Sequence, residues 1–139
     1  MDLVIYQSSN HLLTALPQNE WERWKPQLEL VDLKLGQVLH EANGRMQYVY
    51  FPIDAIVSLL FVLENGSSTE IAVVGNEGIV GVSLFMGGET TPSRAVVQSA
   101  GKCLRMNARF LKSEFNNSLP VMHLLLRYTQ ALLTQMTQT

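Results

Sequence analysis

The apolar positions of this chain change period twice. Leu12, Leu13 and Leu16 fall at helical spacing behind Asn10, a capping residue, and Pro17 closes that segment. A second helix starts at Gln18 or Asn19, carries Glu20 and Glu22 in its first turn and stops at Pro26. Leu16, Trp21 and Trp24 are placed to pack this helical lid onto a sheet. From Leu28 the period shortens: Leu28, Leu30, Val31, Leu33 and Leu35 read as a strand reaching the turn at Gly36. Val38 to Glu41 is a short strand ended by Asn43-Gly44. Tyr48 to Phe51 is another, closed by Pro52. Ile56 to Leu63 is a buried strand, and Asn65-Gly66 turns the chain into Thr69 to Val74. Arg94 to Gln98 and Cys103 to Met106 supply two more. Strands at about ten-residue spacing are the rhythm of an antiparallel sandwich or barrel.

The helical period returns at the end. Ala108 to Phe115 reads as a helix broken by Asn116-Asn117-Ser118, and Pro120 opens a long helix running to Gln138. Val121, Leu125, Tyr128 and Leu132 form its apolar stripe, Leu124, Ala131 and Gln135 lie beside it, and Leu126, Leu133 and Met136 widen it; the dimer interface expected is Val121, Leu125, Tyr128, Leu132 and Met136. That surface exceeds what one sheet needs, so a second copy of the helix is the expected partner across the stripe. The division expected is a sensor body over residues 1–119 and the start of a dimerisation helix over 120–139. The helix carries no stop signal, and the chain reads as cut inside a larger protein.

Between the strands lies the stretch from Gly75 to Gly101, which holds six of the nine glycines and a single basic residue, Arg94. Glycine permits positive φ and lets a ligand approach bare backbone amides. Ser83 to Met86 fits one short helical turn, and an arginine returning later fits a clamp on an anion. This is a phosphate-sized cradle, or equally a set of tight turns at the corners of a barrel.

Composition narrows the classes. Apolar residues make up 47% and charged residues 16%, as in globular proteins, and the net charge of −2 gives no basic field for nucleic acid. The lone Cys103 excludes an internal disulfide and reads as a buried small residue suited to a reducing cytoplasm. His11, His40 and His123 sit in different elements without ligand spacing, so no metal site is expected. Gly81 to Phe85 lacks the second glycine of a nucleophile elbow, and no paired carboxylates propose catalysis. The most apolar run, Ile56 to Leu63, is far short of the roughly 18 residues that span a bilayer. The expectation is a cytoplasmic protein that is not an enzyme and does not enter a membrane.

The order of elements resembles the sensor domain of Crp/Fnr-type bacterial transcription regulators, in the cyclic-nucleotide-binding-domain family. The likeness runs through Leu12 to Leu16, Leu35-Gly36-Gln37-Val38-Leu39, Val49-Tyr50-Phe51-Pro52, and Glu70 to Gly75. It continues over Gly81, Leu84-Phe85 and Arg94-Ala95-Val96-Val97 into the helix from Pro120. It implies a mainly β fold with flanking helices: a double-stranded β-helix, or jelly roll, behind N-terminal helices and before a long dimerisation helix. It implies a homodimer that meets DNA only through a C-terminal domain absent from this chain. It also implies a ligand cassette formed by Gly81, Val82, Ser83, Leu84, Ser93, Arg94 and Ala95, holding a cyclic nucleotide or another small anionic ligand.

The cassette departs from the cAMP-binding pattern of that family. Val82-Ser83 follows Gly81 where the pattern has a carboxylate for the ribose; Glu89 substitutes only if the Gly87-Gly88 loop folds inward. Ser93-Arg94-Ala95 reverses the order of arginine and serine, and a one-residue shift in a strand sends a side chain to the other face. Two functions stay open: a ligand sensor acting through the terminal helix, and a dimerisation module with an empty cassette.

Overall fold

A computed structural model describes residues 4–85 and 93–138 of the chain. Its elements run α1 (Val4–Gln7), α2 (His11–Thr14), α3 (Gln18–Trp24), a 3-10 turn (Lys25–Gln27), β1 (Glu29–Leu33), β2 (Val38–His40), β3 (Tyr48–Pro52), β4 (Ile56–Val62) and β5 (Ser68–Val74). A second 3-10 turn (Val82–Phe85), β6 (Ser93–Ser99), β7 (Gly101–Asn107), α4 (Ala108–Asn117) and α5 (Leu119–Thr137) follow. One antiparallel sheet has the order β1-β7-β3 and the other β2-β6-β4-β5. The expected jelly roll with helices at both ends is the fold.

Strand alternation builds two cores. Val49, Phe51, Leu104 and Met106 leave one face of the β1-β7-β3 sheet and meet Leu12, Leu13, Trp21, Trp24, Leu111 and Leu125 from the helices. Tyr50, Cys103 and Leu33 leave its other face and meet Val57, Leu59, Val74, Ala95 and Val97 from the second sheet. Trp21 and Trp24 are almost wholly buried, each contributing about 3 kcal/mol by removal of apolar surface from water. Trp24 Nε1 also donates to Glu114 Oε1 at 2.8 Å, tying α3 to α4.

Asn10 closes the N-terminal end. Its Oδ1 accepts from the Leu12 and Leu13 amides at 3.0 and 3.2 Å, and its Nδ2 donates to the Pro52 and Gly78 carbonyls at 2.8 and 3.0 Å. A cap legible in the sequence thus also ties α2 to β3 and to the glycine-rich turn.

Element ends differ in small ways. α3 ends at Trp24, just before Pro26 as expected, and Pro26 then sits in the first turn of a short 3-10 continuation, where its missing N–H costs no hydrogen bond. α5 starts at Leu119, with Ser118 Oγ accepting from the Val121 amide.

The larger correction concerns α5. Val121 and Leu125 are buried in the helical core and Leu132 in the inter-sheet core. Tyr128 is half-buried against both cores, and Met136 packs on the second. The stripe expected to meet a partner is therefore spent within the chain. Helical spacing cannot tell a face bound for the chain's own core from one bound for a neighbour. The face left outside carries Leu119, Leu126 and Leu133, which are 62%, 46% and 44% exposed and stand seven residues apart.

Candidate functional site

A cavity of about 230 Å³ opens between the second sheet, the glycine-rich segment and α5. Among the described residues, the roll contributes His40, Leu59, Ile71, Ile79 and Ser93, the turn after β5 contributes Gly81, Val82 and Ser83, and α5 contributes Thr129, Leu132, Leu133 and Met136.

Gly81 sets the floor. Its φ is +129°, and a Cβ there would stand 2.7 Å from Val49 Cγ1, so both backbone angle and space require glycine. The 3-10 turn that follows buries Leu84 in the helical core, away from the cavity. Phe85 stacks on Phe115 of α4 with ring centroids 4.9 Å apart, anchoring the far end of the turn.

Register on β6 sorts the other expected residues. Ala95 pairs with Leu59 on β4 and with His40 on β2, and cross-strand partners share a face. Ala95 is fully buried in the inter-sheet core. Ser93, two residues away, shares that face and lines the cavity. Arg94 falls on the other face. Its Nε lies 2.9 Å from Glu41 Oε1, as an ion pair without the alignment of a hydrogen bond.

The seven expected ligand residues therefore separate. Gly81, Val82, Ser83 and Ser93 meet at the cavity, Leu84 and Ala95 belong to the cores, and Arg94 faces Glu41 instead of closing on the cradle. Glu89 lies outside the described residues. Sequence reasoning missed His40, Leu59, Ile71, Ile79, Thr129 and Leu133. An ordinary-looking histidine in a three-residue strand carries no signal of its own; only its pairing with Ala95 brings it to the cavity.

Among the described residues, the polar groups of the wall are few. Thr129 Oγ1 donates to the Leu125 carbonyl at 2.8 Å, within its own helix. His40 Nδ1 is buried without a hydrogen-bond partner. Burial pushes the imidazole below its ordinary range, against weaker opposing contributions from the Glu41 and Ser93 backbone and the Glu41 charge. Cys103 is also fully buried, and burial pushes its thiol well up, away from a reactive thiolate. Among the described residues, no three His, Cys, Asp or Glu side chains gather as metal ligands. No helix among them is long and apolar enough to cross a membrane.

The fold is that of a cyclic nucleotide-binding domain, typically a non-catalytic regulatory module. Residues 30–118 match that family, and the chain belongs to it. No curated protein matches the chain by sequence. Similar solved structures include the regulatory subunit of a cAMP-independent protein kinase A from Trypanosoma brucei, with a TM-score of 0.77 at 16% identity over 92% of this chain and 46% of that one. The chain thus spans less than half of that subunit. The N-terminal domain of a transcriptional regulator from Streptomyces coelicolor A3(2) gives 0.63 at 23% identity, covering 96% of this chain and 93% of that one. The sensor domain of the transcriptional regulator DNR from Pseudomonas aeruginosa gives 0.73 at 16%, covering 96% and 90%. At these identities the likeness is one of fold.

Proposed function

We propose that this domain is the ligand-sensing part of a cytoplasmic Crp/Fnr-type transcription regulator, with no catalytic step of its own. The observation that carries the reading is the shared wall of the cavity: one side is roll, the other is Thr129, Leu132, Leu133 and Met136 of α5. A ligand held there touches both bodies at once and biases how the helix packs on the roll. Two neighbours of like fold and nearly equal length are parts of transcription regulators.

The same helix offers the route outward. Leu119, Leu126 and Leu133 repeat at seven residues on its exposed side, the spacing of a two-helix seam. Leu133 belongs both to that seam and to the cavity wall. Ligand occupancy and helix pairing then act on each other, and a DNA-binding segment attached beyond α5 would read the arrangement.

Sedimentation of the purified chain tests the pairing. A homodimer is expected, with Leu126→Asp giving a folded monomer; an unchanged association state in that variant removes the seam. Screening small molecules by calorimetry against folded protein tests sensing.

A second reading, a dimerisation module with an empty cassette, draws on the engagement of Arg94 by Glu41. It requires the same seam but no ligand, and a single saturable ligand that changes dimer affinity excludes it.

A further inference from the structure

The walls of the cavity also speak to the chemical class of its ligand, on the reading that it senses one. Among the described residues, seven of the twelve that line the wall are apolar, including Leu59, Ile71, Leu132 and Met136, and none of the twelve is Lys, Arg, Asp or Glu. Burial favours the uncharged imidazole of His40 near neutral pH, so this ring supplies no positive charge. Arg94 is turned to Glu41 outside the cavity. The sequence from Met86 to Pro92 contains no basic residue. The 3-10 turn at Val82–Phe85 is too short to supply a useful helix dipole.

A phosphate brought here would leave water without a countercharge, and an unpaired buried charge is strongly disfavoured. Size points the same way. A cavity of about 150 Å³ holds benzene, so about 230 Å³ holds roughly ten non-hydrogen atoms, about half of a cyclic nucleotide.

We infer that the cavity between the roll and α5 binds a small, uncharged, largely apolar molecule and discriminates against cyclic nucleotides and other phosphate-bearing ligands. Binding would be dominated by apolar contact with both the sheet and the helix.

Nitrobenzene and benzoate, nearly identical in shape and different in charge, separate the possibilities, with cAMP as a third probe. Each is titrated into the full chain while methyl resonances of Leu59, Ile71, Leu132 and Met136 are followed by NMR. Saturable shifts with nitrobenzene, at least about tenfold weaker binding of benzoate and no cavity shifts with cAMP are expected. Leu59→Trp and Met136→Trp, which fill the cavity from the sheet and from the helix, should each abolish the nitrobenzene shifts; whichever folds is sufficient. Benzoate binding as tightly as nitrobenzene overturns the inference, as does nitrobenzene binding that survives the filling variants. Saturation of the cavity by cAMP without nitrobenzene binding overturns the ligand class and leaves the sensing role standing. A cavity that responds to none of the three overturns both.

Discussion

The ring of Tyr128 in α5 lies against the bare Cα of Gly78, in the glycine-rich turn, where a side-chain carbon would overlap the ring. Burial pushes the Tyr128 hydroxyl well above its ordinary range, and the Glu77 charge adds to this. The hydroxyl lies near the Ile79 backbone without an aligned hydrogen bond. The contact fastens the helix to the segment leading into the cavity. Gly78→Ala is expected to destabilise the fold by about 1–3 kcal/mol through overpacking. Tyr128→Phe removes an unpartnered group and is expected to leave stability unchanged or raise it by up to about 1 kcal/mol. Denaturant unfolding of both variants reads the difference; a large loss in Tyr128→Phe would mean the hydroxyl has a partner.

Ser93 and Arg94 form a second pair whose difference is one of face. Ser93 lines the cavity, while Arg94 meets Glu41 across a partly exposed ion pair. Arg94→Ala should therefore cost no more than about 1 kcal/mol and leave affinity for an uncharged cavity ligand unchanged. Ser93→Arg brings a cation to the cavity and should raise affinity for benzoate at least about tenfold over the parent chain. Calorimetric titration of the two variants compares them directly; a gain from neither would separate cavity charge from anion binding.

Asn10 is fully buried, and its side chain makes four hydrogen bonds, two within α2 and two across to Pro52 and Gly78. Asn10→Leu keeps similar bulk and strands four backbone partners. The expected cost is about 2–4 kcal/mol, combining a lost helix cap with unsatisfied buried carbonyls. Thermal unfolding checks this, and a cost below that of an ordinary surface change would contradict the role.

His40 gives stability a pH dependence. Burial lowers its native pKa, so below about 6.5 the unfolded chain takes up the proton more readily than the native one. Its contribution therefore opposes folding increasingly as pH falls from about 6.5 through the lower native value. Melting temperatures across pH 5 to 8 should fall less steeply toward acid in His40→Phe than in the parent chain. Equal slopes would show that His40 titrates alike in both states.

Much of the architecture is legible in the chain itself. Period-2 runs broken by Asn43-Gly44 and Asn65-Gly66 mark strands, and Asn10 and Pro120 mark helix starts, because caps and turns are local chemistry. Gly81 stands out in the sequence only as one of the glycines recurring at 75, 78 and 81; its φ of +129° belongs to the structure. The element order suffices for the fold class, and the glycine-rich stretch locates the neighbourhood of the cavity.

Tertiary structure decided the rest, because it depends on faces. Pairing of β6 with β4 and β2 assigns Ser93 and His40 to the cavity and Arg94 to the opposite face, a distinction of one residue in register. The crossing of α5 over two cores decides which of its apolar stripes is consumed, burying Val121, Leu125 and Leu132 and leaving Leu119, Leu126 and Leu133 outside. A sequence carries the periods of its strands and helices. Which phase of each period meets a core, a cavity or solvent is fixed only when the elements pack.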